Sequence, residues 1–191
     1  VVMGFLLMGA LFIVLPRTMV SAKRINQVLD LHSSIQNPAQ VQLVDENLKG
    51  QVEFKEVTFR YAVNSEAVIE NVSFRAEAGQ TVAFIGSTGS GKSTLVNLIP
   101  RFYDVSAGEI LVDGVNVQDY DLNDLRNKVG YIPQKAVLFS GNVKDNLDFG
   151  HSQETPLSEQ AMWQALELAQ SKNFIEDKEA GLASEVAQGG T

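Results

Sequence analysis

The chain has 191 residues, 45% of them hydrophobic, enough for one domain with an appendage and a true apolar core, which excludes intrinsic disorder. A formal net charge of -8 at pH 7 argues against a general nucleic-acid binder, which needs a basic face to neutralise phosphates. With no cysteine, disulfides and thiolate metal sites are excluded; the two histidines, His32 and His151, lie far apart without a ligand pattern, and neither is assigned a function.

Residues 1–15 are apolar residues and glycine only, and Pro16 and Arg17 end the run. As a helix it would reach about 22 Å, short of the roughly 20 residues that a bilayer core requires. A signal-peptide core needs basic residues ahead of it, whereas Arg17, Lys23 and Arg24 come after. A buried soluble helix is the other alternative. The best fit is the end of a last transmembrane helix whose start lies upstream, with everything after residue 16 on the cytoplasmic side of a cell membrane by the positive-inside rule. The chain, which begins at valine, is accordingly expected to be cut from a longer protein.

Val20, Ile25, Val28 and Leu29 continue a helical stripe, so residues 1–31 are expected to form the span's end and its extension. Residues 32–49 turn polar around Asn37-Pro38 and suit a linker. A domain is expected over 50–191. Alternation at Val52 and Phe54, then Val57, Phe59 and Tyr61, then Val72, Phe74 and Ala76 predicts strands with one buried face, and the phase slip between Phe54 and Val57 predicts a bulge. Thr81 to Ile85 reads as a buried parallel strand, and Leu95, Val96, Leu98 and Ile99 as a helix. Asp113-Gly114 signals a hairpin within 108–117, and Val129 to Ile132 another short strand. Helices are expected over 142–147 and 158–169, making the region from about 135 onward a helical subdomain.

Between the apolar run at 81–85 and the helix lies Gly86-Ser87-Thr88-Gly89-Ser90-Gly91-Lys92-Ser93-Thr94, a full match to the phosphate-loop pattern G-x-x-x-x-G-K-[ST]. A triphosphate must be approached closely by backbone N–H groups from several sides, and glycines at 86, 89 and 91 allow that curl. Lys92 is expected to reach the outer phosphates. Ser93 is expected to offer its hydroxyl to magnesium, and Thr94 to face the phosphates with its hydroxyl and N–H.

Together with this loop, Phe59-Arg60-Tyr61, the run from Val68 to Phe74, Arg101-Phe102-Tyr103-Asp104, the run from Gly108 to Gly114 and Tyr131-Ile132-Pro133-Gln134 make the chain resemble an ABC transporter of exporter type, with membrane and ATP-binding parts on one polypeptide. The resemblance implies an α/β fold: a phosphate-loop ABC nucleotide-binding domain with a mixed sheet, an antiparallel β subdomain and the start of a helical subdomain. It implies ATP and magnesium as cofactors. Tyr61 would stack on adenine, Val68 would pack beside the adenosine, and Gln134 would join Ser93 on magnesium. The implied partners are a second ABC half-transporter, in a homo- or heterodimer, the lipid bilayer and a transported small molecule, lipid or peptide, with no nucleic acid.

The stretch from Ser184 to Thr191 resembles what precedes the family's signature sequence; the signature, the catalytic carboxylate and the switch histidine are not in the chain, so no catalytic residue is assigned and this chain alone is expected to turn over little. Gln188 stands where many relatives carry a glutamate, which leaves the subunit type open. Two rival readings are a soluble phosphate-loop ATPase or kinase and a non-hydrolysing regulatory half of a heterodimeric transporter.

Overall fold

The computed structural model describes residues 2–42, 44, 48–150 and 156–190; His151 and Thr191 lie outside them. It opens with α1 (Val2–Leu29), a helix that continues through Pro16. Proline removes one amide from the ladder. Just beyond it, the hydroxyls of Thr18 and Ser21 donate back to the carbonyls of Val14 and Arg17, at 2.9 and 3.1 Å. Val20, Ile25, Val28 and Leu29 are all exposed, so their stripe meets no partner among the described residues. No helix among those residues is both long and apolar enough to cross a membrane.

Two compact units follow from the contacts, Val1–Gly130 and Tyr131–Thr191. In the first, β1 (Val52–Phe59), β2 (Ile69–Ala76), β3 (Ala107–Val112) and β4 (Val115–Asn116) form an antiparallel sheet in the order β2-β1-β3-β4. Phe54, Val57 and Phe59 of β1 are buried with Ile110, Val112, Val115 and Val117, against Leu95 and Leu98. Phe54 stacks on Phe74, ring centroids 4.5 Å apart. The expected phase slip is present: the β1–β2 register shifts between Phe54 and Val57, and Glu56 lies at φ 49°. The bulge frees amides, and side-chain hydroxyls take them up. Glu56 N–H donates to Ser73 Oγ at 2.8 Å, and Asn71 N–H to Thr58 Oγ1 at 3.1 Å.

The hairpin at Asp113-Gly114 also forms, with φ 51° and 78° at its two turn residues, the positive pair that matches strand twist. Asp113 is buried; its carboxylate accepts from the Gly50 N–H at 2.7 Å and pairs with Lys128 at 2.8 Å. After β4 a single 3-10 turn (Val117–Asp119) leads to α3 (Leu122–Lys128), capped by Asp121.

Two expected strands are corrected. Neither 81–85 nor 129–132 forms a strand, and all pairings among the described residues are antiparallel. Val82, Phe84, Ile85, Tyr131 and Ile132 are exposed, Ile85 by 97% and Ile132 by 93%. A parallel strand needs a hydrogen-bonded neighbour from far along the chain, and although the Phe84 ring packs on Phe74 at 5.1 Å, no ladder forms at either segment among the described residues.

The second unit holds α4 (Val143–Leu147), α5 (Glu159–Leu168) and α6 (Lys172–Glu176), with β5 (Gly141–Asn142) paired antiparallel to β6 (Glu185–Val186). Asn142 and Ser158 cap α4 and α5, as their side-chain oxygens accept from Asp145 and Ala161 N–H groups. Val143, Met162, Leu166, Ile175 and Leu182 form its core, which confirms the helical texture expected beyond residue 135.

Candidate phosphate-binding site

The phosphate loop leaves the extended segment at Gly86 and enters α2 (Lys92–Leu98), with Gly89 and Gly91 both at φ 84°. The ammonium of Lys92 folds back over its own loop. It donates to the carbonyls of Gly86 and Ser87 at 2.9 and 2.7 Å and to Ser90 Oγ at 3.2 Å, so residues 86–92 close into a ring. A Cβ on Gly86 would sit 2.7 Å from Ser90 Oγ, and one on Gly91 2.8 Å from Ile69 Cδ1 and 2.9 Å from the Val68 carbonyl oxygen. Glycine at 91 is therefore required both by φ and by the close approach of β2. Val68 thereby lies against the loop.

Ser93, the second residue of α2, is exposed, while Thr94 is buried. The hydroxyl of Thr94, expected to face the phosphates, shares a 2.9 Å hydrogen bond with the phenol of Tyr61. The Tyr61 ring stands half exposed just beyond β1. Phe59 meets it edge-on at 4.8 Å and Tyr103 at 5.3 Å and 90°, two contacts that fix its plane. Neither neighbour was singled out from the sequence as a support for Tyr61, although Tyr103 sits within a motif that was.

A cavity of about 340 Å³ beside the loop is lined by Val68, Ile69, Phe84, Ser90, Gly91 and Lys92. It combines apolar walls with the cationic Lys92 that closes the ring and with the acidic Glu70. A larger concavity, about 820 Å³, lies instead over the bulge of β1, between Lys55, Glu56, Ser73, Arg75 and Glu109. Its cations are already engaged: Lys55 pairs with Glu109 at 2.9 Å and Arg75 with Glu77 at 2.6 Å. The Glu109 hydrogen bond raises the Lys55 pKa above its ordinary value, and the Arg75 hydrogen bond lowers that of Glu77. These pairs satisfy one another, and the loop remains the better anion site.

The structure thus brings together Tyr61, Val68 and the whole loop from Gly86 to Thr94. Gln134 belongs to the second unit, at an exposed bend directly after Pro133. Among the described residues no group of three or more acidic or histidine side chains is clustered to hold a metal. A cation here would depend on hydroxyl and amide oxygens together with ligand phosphates, the donor set that suits a hard ion such as magnesium.

Comparison with known proteins bears on the same residues. A family profile described as ABC transporter matches residues 69–189. An uncharacterized ABC transporter ATP-binding protein of Mycobacterium tuberculosis is 41% identical over 190 residues, covering 100% of this chain and 32% of the relative. Multidrug resistance protein 1 of Entamoeba histolytica is 36% identical over 172 residues, 90% of this chain and 13% of the relative. Among solved structures, a bacterial Atm1-family ABC exporter with ATP bound superposes with a TM-score of 0.81 at 28% identity, over 92% of this chain and 30% of the exporter chain. The chain therefore spans about a third, or less, of the length of the relatives it matches.

Proposed function

The chain belongs to the ABC transporter family, as an ATP-binding domain of exporter type, and we propose that it binds ATP with the phosphate loop on the triphosphate and Tyr61 on the adenine. The single observation that carries this reading is the Lys92 ammonium closing the ring of residues 86–92, with Tyr61 hydrogen-bonded to the same helix turn.

On binding, Lys92 exchanges two loop carbonyls for phosphate oxygens, so its ammonium meets a full negative charge in place of carbonyl dipoles. The amides of the loop, curled by Gly89 and Gly91, face the same charge. Ser87, Thr88 and Ser90 supply the remaining loop amides, and Thr94 can turn its hydroxyl from Tyr61 toward phosphate as the ring receives the base. Val68 packs beside the adenosine. Ser93 and Gln134 are the residues that would hold magnesium, whose charge neutralises the triphosphate. The Gln134 amide would offer a neutral oxygen, a ligand that can leave and return without a large electrostatic penalty.

Family members hydrolyse ATP, and in this chain the assigned groups hold and position the nucleotide; the water-activating carboxylate is not among them. The working unit we infer is a pair of such domains, in a homo- or heterodimer, that close on ATP and drive export of a small molecule, lipid or peptide. The apolar start of α1 is read as the end of a span, which would place the ATP site on the cytoplasmic side of a cell membrane. The reading of the ATP site is tested by Lys92→Ala. Loss of one charge-assisted contact predicts a fall of about 10- to 100-fold in ATP affinity, measured by calorimetric titration, with the far-ultraviolet dichroism unchanged. Unaltered affinity would remove the basis for the assignment.

A further inference from the structure

The linker expected over residues 32–49 is not free. Gln42 N–H donates to the Asp119 carbonyl at 3.1 Å, and the Gln42 side-chain amide to the Asp119 carboxylate at 3.1 Å. Asn37 grips the cap of α3 from both ends of its amide: its nitrogen donates to the Asp121 carboxylate, and its oxygen accepts from Leu122 N–H at 2.9 Å. Residues 36–42 are a strap on the domain surface.

Arg101 joins this strap to the phosphate loop. The loop runs into α2, and the turn after α2 carries Arg101, whose N–H donates to the Leu98 carbonyl at 3.1 Å. The residue is 6% exposed and its backbone sits at φ 52°, a conformation that non-glycine residues rarely hold without support. The support is a guanidinium with every face used. Nε and Nη2 hold Asp104 at 2.7 and 3.4 Å, while Nη1 donates to the Gln36 carbonyl at 3.2 Å and to the Gln118 carbonyl at 3.3 Å. One planar group thus fastens the end of the loop's helix, the strap and the turn before α3.

We propose that Arg101 is a positioning residue that couples nucleotide occupancy at the phosphate loop to the docking of strap 36–42, and so to the course by which the chain runs back to α1. The inference rests on the ATP reading given above. Ligation that stiffens the loop and α2 holds the Arg101 turn, and a held turn keeps the Gln36 carbonyl in place; by linkage, a docked strap favours nucleotide in return. A lysine at 101 would keep the charge and lose the fork that reaches three segments at once.

The test is amide hydrogen exchange on the full chain, with and without saturating magnesium-ATP, read at Gln42 and Leu122. ATP is expected to slow exchange at both by about fivefold or more, the lower end of measured coupling between sites. By the same linkage Arg101→Lys should bind ATP more weakly by about the coupling factor and lose that response. Should the buried variant fail to fold, Asn37→Ala on the exposed strap should show the same modest loss of ATP affinity while losing most of the response at Gln42. A merely structural role would lower protection equally with and without nucleotide. ATP binding with a silent strap, or a response that persists in both variants, would overturn the proposal; absence of ATP binding in the parent would overturn the ATP reading with it.

Discussion

The phenol of Tyr61 and the hydroxyl of Thr94 share a hydrogen bond of 2.9 Å, which ties the end of β1 to the first turn of the helix that follows the phosphate loop. The bond links the surface proposed for the base to the one proposed for the phosphates. Tyr61→Phe keeps the ring and its two edge-on neighbours while losing the tie; Tyr61→Ala loses everything. ATP affinity should fall by about tenfold for alanine, the scale of a good aromatic contact, and by clearly less for phenylalanine. Binding of inorganic triphosphate, measured in parallel, should hardly change in either. Equal losses for ATP and triphosphate would show that Tyr61 shapes the loop and does not contact the base.

The bulge in β1 depends on a glycine opposite it. A Cβ at Gly108 would lie 2.4 Å from the carbonyl oxygens of both Lys55 and Glu56, and its φ is +79°. Gly79, at φ +77°, has nothing within 4 Å of the same position. Gly79→Ala therefore reports conformational strain alone, about 1 kcal/mol, whereas Gly108→Ala adds a backbone collision and should cost well above that in urea unfolding. Similar losses at the two positions would mean that the bulge yields easily.

Tyr120 is buried, and its phenol donates to the Val112 carbonyl at 2.8 Å. Burial first, and then the charge of Asp113, push its pKa up to about 12 from the ordinary 10.0. Above the ordinary value the unfolded chain gives up a proton that the folded chain keeps. The stabilisation is therefore complete below about pH 10 and is lost progressively as pH rises toward 12. Tyr120→Phe should start from a lower plateau, since Val112 loses its donor, and should show a shallower alkaline decline in the urea midpoint. Parallel declines in parent and variant would assign the effect to another group.

What the sequence made legible was local. The loop from Gly86 to Thr94 carries its conformation in the order of its glycines, and the hairpin carries its own in Asp113-Gly114. The slip between Phe54 and Val57 was readable because a strand's faces alternate with period two, so one surplus residue leaves a visible break. The segments at 81–85 and 129–132 were misread for the converse reason. An apolar run says that burial would be favourable and says nothing about which strands lie beside it. Arg101 stands in the run Arg101-Phe102-Tyr103-Asp104, yet its link to Gln36 spans 65 positions in the chain and ends on a backbone carbonyl, which no side-chain pattern encodes. The pairing of Thr94 with Tyr61, 33 positions apart, is of the same kind.

The three hydrogen bonds from Lys92 to its own loop give the site a history before any ligand reaches it. A loop without such ties would have to search for its shape during an encounter, and that search would slow association. Here the ammonium serves as the template around which the ring is already cast. On the proposed function a triphosphate would meet a loop already shaped, so capture is expected to be governed by diffusion and charge, and release by how readily Lys92 takes its carbonyls back.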